Sequence, residues 1–310
     1  MLVGLGGIGL NYDIGLDKTK YCFSHANSLN KLDTFELTAV VDNSPQAIEN
    51  FRKVYSSHSF KKVEDALKAY EYDVIVISTP SDTHVEIIDN ILSSKHPKFI
   101  LIEKPIAENL VASEYIVNAC KSKKVDIFVN YFRRVELGSK QVKILIERQL
   151  SSSHITGIVW YSKGIFHTGT HLIDLLSYWF GPIIKSNLIK KRDSFNPDLQ
   201  LFFENSDVLF KYTGFESFSK NSIELISEKG VLKYENGGRA INWHPIFEDK
   251  LFKGFFFPSM DAKPIPSDFD NYQCNVYKNI DDYLSNRDKI MIPSGKETLT
   301  YMSLLEGLLR

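Results

Sequence analysis

Five short apolar runs within the first 150 or so residues constrain the fold of this chain more than any other feature of its sequence. Val, Ile and Phe follow one another in these runs with little polar alternation, as is typical of strands buried on both faces of a parallel sheet. The runs are Leu2–Leu5, Glu36–Val41, Asp73–Ser78, Lys98–Ile102 and Val125–Asn130. Helical patterns lie between or after them, at Ser44–Tyr55, Val63–Tyr70, Thr83–Ser94, Glu108–Lys121 and Glu136–Leu150. This repetition predicts an α/β fold with a doubly wound parallel sheet.

The first strand leads directly into a glycine-rich turn that fits the pattern G-x-G-x-x-G. Glycine permits a tight turn and a close approach of the backbone, so that a pyrophosphate can lie at the N-terminus of the following helix. The residues expected to bind a dinucleotide in this turn are Gly4, Gly6, Gly7, Ile8 and Gly9. A tight strand-to-helix turn without a ligand is the alternative interpretation.

Asp42, at the end of the second predicted strand, is the candidate acceptor for the ribose hydroxyls of an adenosine. A carboxylate at this place would repel a 2′-phosphate, which favours NAD over NADP as the cofactor. Asp42 lies 33 residues after Gly9, whereas the usual gap is about 20 residues. We place the excess around Asn11–Lys20, a polar segment that we interpret as an inserted loop.

Three further loops follow predicted strands, at the edge where open α/β sheets bind ligands. The residues expected to contact the cofactor there are Ser78, Thr79, Pro80, His84, Glu103 and Lys104. Lys104 can donate to a substrate hydroxyl or carry a proton, although a surface lysine paired with Glu103 is the alternative. The third loop, Asn130–Arg134, offers Arg133 as a candidate substrate contact, or it forms a solvated turn.

A helix is predicted from about Thr168 to Phe180, because the Gly181-Pro182 pair that follows is typical of a helix C-terminus. His171 and Asp174 share one of its faces, and His167 lies at or just before its first turn. We interpret this face as the substrate side of an active site whose cofactor side lies near the N-terminus. The histidine spacing also matches that of zinc-binding helices, but no glutamate base accompanies it, so no metal is expected. Histidines satisfied by polar neighbours at a domain boundary are a further alternative.

After about residue 150, short strands are joined by turns rather than by helices, which predicts antiparallel hairpins and a separate domain. The predicted strands are Ile155–Tyr161, Leu199–Glu204, Val208–Tyr212, Ile223–Ser227, Val231–Tyr234 and Arg239–Phe247. Two helices, Ser267–Leu284 and Gly295–Leu309, are expected to finish the chain. We therefore divide it into residues 1–132, a dinucleotide-binding domain, and 133–310, a domain for substrate binding and oligomerisation. The aromatic segment Leu251–Met260 is either a loop packed into a core or an oligomer contact.

The composition excludes several classes of protein. A formal net charge of −1 gives no electrostatic footprint for nucleic acid or for an anionic membrane. No apolar run approaches the roughly 18 to 20 residues of a membrane helix, and no signal peptide pattern is visible. Cys22, Cys120 and Cys274 are scattered without a C-x-x-C spacing, which favours reduced thiols in a cytoplasmic protein.

The loops and the histidine helix together resemble the glucose–fructose oxidoreductase / inositol dehydrogenase / rhizopine-catabolism (Gfo/Idh/MocA) family. The resemblance covers the whole chain and rests, in the expected order, on the glycine turn, Asp42, Ser78–His84, Glu103-Lys104-Pro105, Asn130–Arg134 and His167–Asp174. It implies an N-terminal Rossmann domain and a C-terminal domain with a large, mostly antiparallel sheet. It also implies NAD(P)-dependent oxidation or reduction of sugars, sugar acids, cyclitols or nucleotide sugars, by a homodimer or homotetramer.

The resemblance also implies roles for individual residues. Lys104 matches the family lysine that contacts the reacting hydroxyl, His171 matches the acid/base histidine, and Asp174 matches the last aspartate of the helix motif. Many relatives carry an aspartate four residues before that histidine, where this chain has His167. The difference implies another proton relay or another oxidised position, and it makes His167 a candidate substrate contact. The competing hypothesis is a dinucleotide-binding sensor that has lost its chemistry.

Overall fold

The computed structural model describes residues 1–94, 96–150, 153–193, 195–215, 217–286 and 290–309. The chain forms two compact units, of which the first contains Met1–Phe132 and Asp270–Ser303. The second unit contains Arg133–Phe269 and the chain from Leu304 onward. Asp270–Ser303, far from Phe132 in the sequence, joins the first unit, because its helix buries Tyr277 and Ile280 there.

The first unit is built on a parallel sheet of six described strands in the order β3-β2-β1-β4-β5-β6. The strands are β1 (Leu2–Val3), β2 (Ala39–Val41), β3 (His58–Phe60), β4 (Val74–Ile77), β5 (Phe99–Ile102) and β6 (Asp126–Val129). The central strands are almost fully buried, as their continuous apolar runs predict. β3 was not predicted, because its residues are only half-buried or exposed and no apolar run marks it.

Helices flank both sheets of the protein. They are α1 (His25–Lys31), α2 (Pro45–Arg52), α3 (Val63–Ala69), α4 (His84–Leu92), α5 (Leu110–Ser122), α6 (Leu137–Leu145), α7 (Thr170–Phe180), α8 (Tyr272–Asn286) and α9 (Gly295–Leu309). Side-chain caps begin several of them: Ser44 accepts from the amide of Ala47, and Asn109 accepts from that of Ala112. Among the described helices, none is long and apolar enough to cross a bilayer.

The helix after the glycine turn is interrupted by an excursion of the chain, which we define as Leu10–Ser24. The amide of His25 donates to the carbonyl of Ile8 (2.8 Å) and that of Ala26 donates to Gly9 (3.0 Å). In an uninterrupted helix the amide four residues after Ile8 would fill this place. The excess residues between Gly9 and Asp42 thus lie in the excursion, where the sequence analysis placed an inserted loop.

The sheet of the second unit contains nine described strands in the order β14-β13-β12-β11-β7-β10-β9-β8, with β15 paired to β13. They are β7 (Ile155–Tyr161), β8 (Lys185–Lys191), β9 (Pro197–Phe203), β10 (Ser206–Tyr212), β11 (Ser222–Ser227), β12 (Gly230–Glu235), β13 (Ala240–Glu248), β14 (Phe256–Pro258) and β15 (Lys263–Pro264). Most pairs are antiparallel, so the predicted fold class is confirmed. α7 covers one face of the sheet, where Trp179 contacts Tyr234 and Phe180 contacts Phe203.

Several parts of this sheet differ from the sequence prediction, including β14 and β15, which were not predicted as strands. β7 and β10 pair in parallel, because the connection between them includes α7 and returns through β8 and β9. β8 was not predicted, since it is a mostly exposed edge strand on which no buried face imposes an alternating pattern. The segment Leu251–Met260 is not packed into a core: its first and last residues are 85% and 93% exposed.

The cysteine prediction is corrected by the structure. Cys22 and Cys274 form a disulfide, whereas Cys120 is free and buried. The two bonded residues are 252 positions apart in the sequence, so no local spacing could have indicated the bond. The disulfide removes the cysteine-based support for a cytoplasmic location.

Candidate active site

The glycine turn, which is the candidate dinucleotide cradle, has one closed side and one open side. Gly4 has a φ of +97°, and a Cβ on it would lie 2.7 Å from the backbone of Ser78, so only glycine fits between these loops. A Cβ on Gly9 would collide with the carbonyl oxygen of Gly4. Apart from its chain neighbours, no described residue has an atom within 4 Å of the Cβ position of Gly6, which therefore borders open space. The turn is closed against the protein and open on the side where a pyrophosphate would bind.

Asp42 is fixed beside this turn by two backbone amides. Leu5 N–H donates to Oδ2 (2.7 Å) and Ser44 N–H donates to Oδ1 (2.8 Å). A cleft of about 560 Å³ opens here, and its lining includes Gly4, Gly6, Asp42, Lys62 and Thr79. The carboxylate is anchored at the wall of a cleft of a size suited to part of a dinucleotide.

The loop after β4 is held from both sides. Ser78 Oγ donates to the carbonyl of Gly4 (2.9 Å), and Thr83 Oγ1 donates to that of Pro80 (2.7 Å). The buried ring of His84 lies between two backbone carbonyls, with Nδ1 2.8 Å from Ile106 O and Nε2 3.0 Å from Thr79 O. His84 thus joins this loop to the next one instead of pointing its ring nitrogens into the cleft.

The Glu103-Lys104-Pro105 loop follows β5 and contains a cis peptide bond between Lys104 and Pro105. The carboxylate of Glu103 is buried, with Oε1 3.0 Å from Nε2 of His25 and 2.6 Å from Nδ2 of Asn130. Burial raises the pKa of this carboxyl, but the contacts with His25 and Asn130 and the charge of Lys104 outweigh burial, so the pKa lies below its usual value. Lys104 itself is partly buried. Glu103 therefore belongs to the interior of the first unit.

The two histidines of the α7 region have different surroundings. Ile165–Gly169 forms one π-helical turn directly before α7, and His167 in this turn is exposed. His171 lies in the first turn of α7 and is only 7% exposed. Single π turns inside or beside helices are frequent at functional sites.

Asp174 forms a buried, bidentate ion pair with Arg134. Nε of Arg134 donates to Oδ2 (2.9 Å) and Nη2 donates to Oδ1 (2.7 Å), and Asp174 is fully buried. The fork geometry of guanidinium matches a carboxylate, which compensates for the burial of both charges. The sequence analysis considered Arg134 only as part of a turn and missed this partner.

Arg133 is also buried rather than part of a solvated turn. Its guanidinium lies beside Gly237, whose carbonyl accepts a hydrogen bond from the hydroxyl of Tyr234 (2.8 Å). Burial raises the pKa of Tyr234 to about 12, so this hydroxyl stays protonated and keeps its role as a donor.

Three polar residues near Glu103 were missed by the sequence analysis: His25, Gln273 and Tyr277. His25 follows the excursion, and the other two lie on the buried stripe of α8. Periodicity assigns such positions to a core without revealing that polar groups meet there. In the described part of the chain, no group of three or more His, Cys, Asp or Glu residues is placed to hold a metal ion.

Comparison with protein families gives a match to the first part of the chain. Residues 2–131 match the model of the Gfo/Idh/MocA family, described as "Oxidoreductase family, NAD-binding Rossmann fold". The matched range is almost the whole N-terminal part of the first unit.

Two of the curated proteins that are similar to this chain are dehydrogenases of known name. A 4-carboxy-2-hydroxymuconate-6-semialdehyde dehydrogenase of Sphingobium sp. is 22% identical over 208 residues, which are 61% of this chain and 65% of the relative. A myo-inositol 2-dehydrogenase of Thermotoga maritima is 23% identical over 195 residues, 58% of this chain and 54% of the relative. In both cases the match spans less than two thirds of the relative's length.

The fold is similar to that of the WlbA dehydrogenase from Bordetella pertussis, which was solved in complex with NADH and UDP-GlcNAcA. The TM-score is 0.71, the sequence identity is 19%, and the match covers 98% of this chain and 93% of that one. The likeness concerns the arrangement of strands and helices in both units.

Proposed function

Because residues 2–131 match the model of the Gfo/Idh/MocA family of NAD-binding Rossmann oxidoreductases, we propose that the protein is an NAD(P)-dependent oxidoreductase acting on a hydroxyl or keto carbon. The observation that carries this proposal is the glycine turn, closed behind Gly4 and open at Gly6. A nicotinamide cofactor would supply the hydride acceptor or donor. Gly4–Gly9 would hold its pyrophosphate through backbone amides, and Asp42 would accept from its ribose.

NAD is the proposed cofactor rather than NADP. Asp42 keeps its carboxylate at the wall of the cleft, where it accepts from two amides, and a second anion such as a 2′-phosphate would be repelled there. The preference is measured as the ratio of kcat/KM for NAD and NADP, and Asp42→Ser should reduce that ratio. An Asp42→Ser variant with the wild-type ratio would contradict the assignment.

The proposed acid/base groups are Lys104 and His171. A lysine ammonium can donate to the oxygen of the reacting hydroxyl, and a histidine takes and returns a proton near neutral pH. His167, exposed in its π turn, is proposed to bind a neighbouring substrate hydroxyl. Arg133 remains a proposed substrate contact. Asp174 is proposed to support the substrate-binding helix through its pair with Arg134.

The proposed substrate is a polyol: a sugar, a cyclitol or a nucleotide sugar. One relative is named for a cyclitol, myo-inositol, and the chemistry of a CH–OH group is common to all three classes. Inositols and simple aldoses are therefore the first compounds to test.

The proposal is tested in two measurements on the purified full chain. Titration with NADH should quench protein fluorescence and enhance that of the nicotinamide, with saturation at a single site per chain. Absorbance at the NADH band should then rise when NAD and a panel of inositols, aldoses, uronic acids and nucleotide sugars are added. Absence of NADH binding would overturn the dinucleotide assignment. Binding of NADH and sugar without any absorbance change would favour the sensor hypothesis instead.

A further inference from the structure

Glu103 is the centre of a buried polar network that joins α1, α8 and the ends of β5 and β6. Its Oε1 lies 3.0 Å from Nε2 of His25 and accepts from Nδ2 of Asn130 (2.6 Å). Asn130 Nδ2 also donates to Oε1 of Gln273 (3.1 Å). Nδ1 of His25 lies 3.1 Å from Nε2 of Gln273 and 2.8 Å from the hydroxyl of Tyr277. All five side chains lie within the first unit and are at most 8% exposed.

The contacts assign the tautomer of His25. Gln273 presents its carbonyl oxygen to Asn130, so its amide nitrogen, which can only donate, faces Nδ1 of His25. Nδ1 must therefore be an acceptor. The ring proton lies on Nε2, and His25 donates it to the carboxylate of Glu103.

The remaining members agree with this direction of hydrogen bonding. Burial, with the nearby Glu103 carboxylate, raises the pKa of Tyr277 well above its usual value, so its hydroxyl is protonated and can donate to Nδ1. The donors from His25 and Asn130 converge on an ionised Glu103. The titratable groups around this carboxylate are His25 from α1, Tyr277 from α8 and Lys104 of its own loop.

The loop that carries Lys104 is held at both ends. Glu103 is held by the network, and the carbonyl of Ile106, two residues after Lys104, is 2.8 Å from Nδ1 of the buried His84. Lys104 is the partly buried residue between these two attachments. A fixed backbone on either side restricts where its ammonium group can be placed.

We propose that His25, Asn130, Gln273 and Tyr277 are positioning residues that keep Glu103 ionised and immobile, and thereby hold Lys104 in place for its work on the substrate hydroxyl. This inference rests on the proposed oxidoreductase function. None of the four residues is assigned to cofactor or substrate contact, so loss of the network should affect turnover more than binding of NADH.

The test compares His25→Leu, which removes the donor to Glu103, with His25→Gln, which retains an N–H at the end of the side chain. Loss of a hydrogen bond to a buried carboxylate should lower kcat by about tenfold or more in His25→Leu. The pKa of Glu103 should rise because a donor is lost, so the acid limb of the kcat profile should move up by about one pH unit. Kd for NADH should stay near the wild-type value, and His25→Gln should recover part of both losses.

A milder pair of variants covers the case in which His25→Leu does not fold. Tyr277→Phe removes the hydroxyl beside Nδ1, whereas Tyr283→Phe removes a hydroxyl on the same helix that donates to the exposed side of Asp126 (2.8 Å). Only Tyr277→Phe should lower kcat and shift the acid limb. Wild-type kcat and an unshifted limb in folded His25→Leu, or equal profiles for the two tyrosine variants, would overturn the proposal.

Nitrogen-15 NMR of labelled histidines tests the network without any turnover. At pH 8 one imidazole, identified by its loss in His25→Gln, should show the Nε2–H tautomer. An Nδ1–H tautomer for His25 would contradict the network whatever the enzyme does. If His25 shows the expected tautomer but the wild type does not bind NADH, the proposed function is contradicted while the hydrogen-bond network is supported.

Discussion

At the scale of single residues, buried charge is the strongest constraint in the second unit. Asp174 is fully buried, and both of its carboxylate oxygens accept from Arg134. The position of Asp174 three residues after His171 predicted a polar face on the helix, but helical spacing cannot reveal a partner 40 positions earlier in the chain. Removing one partner of such a pair leaves a buried charge without compensation.

Arg134→Met should therefore destabilise the protein strongly. We expect the free energy of unfolding to fall by about 3–5 kcal/mol, the range for breaking a buried ion pair. Equilibrium denaturation in urea measures the change. Lys53→Met is the matched control, because the pair of Lys53 with Glu49 is 61% and 62% exposed and should contribute less than about 1 kcal/mol. Similar small losses in both variants would contradict the structural role of Arg134.

His171→Ala should lose turnover while it keeps the cofactor site. A missing general acid or base lowers kcat by about 10²- to 10⁴-fold, whereas Kd for NADH should remain near that of the wild type. His154→Ala is the control, since His154 is 65% exposed and contacts Asp207 on the sheet of the same unit. Wild-type kcat in His171→Ala would remove His171 from the proposed mechanism.

At the scale of elements, the C-terminal part of the excursion Leu10–Ser24 is held in place by hydrogen bonds and a disulfide. Asp13 is buried and accepts from the amides of Phe23 and Ser24 (3.0 and 2.7 Å). The amide of Cys22 donates to the carbonyl of Asp270 (2.8 Å), and the disulfide with Cys274 lies beside this contact. An inserted loop with these attachments is a fixed part of the first unit.

Reduction of the disulfide should lower stability. A native disulfide typically contributes about 2–4 kcal/mol, and we expect a loss of at least this size in Cys274→Ser or in the reduced wild type. Thermal unfolding with and without dithiothreitol measures it, and the reductant should have no further effect on Cys274→Ser. Under denaturing, non-reducing conditions, a thiol reagent should label Cys120 alone. Labelling of all three cysteines would contradict the bond.

The sequence predicted elements well where burial imposes a pattern and poorly where it does not. The bounds of α9 and β7 are those predicted, because strong periodicity and a capping residue mark them. β8 and β3 were missed, since their side chains are largely solvated. In the candidate site, the glycine turn and Asp42 are proposed from local spacing, and they lie beside each other in the structure. The residues of the network around Glu103 are far apart in the sequence, since His25 and Tyr277 are separated by 252 positions. No local pattern connects them.

At the scale of the whole molecule, the sheet of the second unit has one face on which described apolar side chains are only half-buried. Residues facing this side alternate with fully buried ones: Leu209 lies between Val208 and Phe210 on β10. Leu209 pairs in register with Ile158, and both are only half-buried. A sheet face that retains such apolar residues favours contact with a second copy of the chain.

We expect the protein to be a homo-oligomer that uses this face. The mass in solution should be twice or four times the chain mass of 35.5 kDa, measured by light scattering after size exclusion. Leu209→Asp should shift the mass towards that of the single chain, because a carboxylate in an apolar interface is costly. Val111→Asp is the control, since Val111 is 76% exposed on α5 of the first unit. A wild-type mass of one chain at micromolar concentration would exclude the oligomer.

The interrupted helix has a consequence for how related sequences are recognised. The carbonyls of Ile8 and Gly9 accept hydrogen bonds from the amides of His25 and Ala26. The helical hydrogen bonding is therefore continuous in space, although its residues are not contiguous in the chain. An inserted segment leaves the hydrogen bonding of such a helix intact when it returns to the same register, as Leu10–Ser24 does. The number of residues between the glycine turn and the acidic residue after β2 therefore depends on the length of the excursion and not on the geometry of the glycine turn. Searches that fix this distance would overlook chains whose cofactor site is intact.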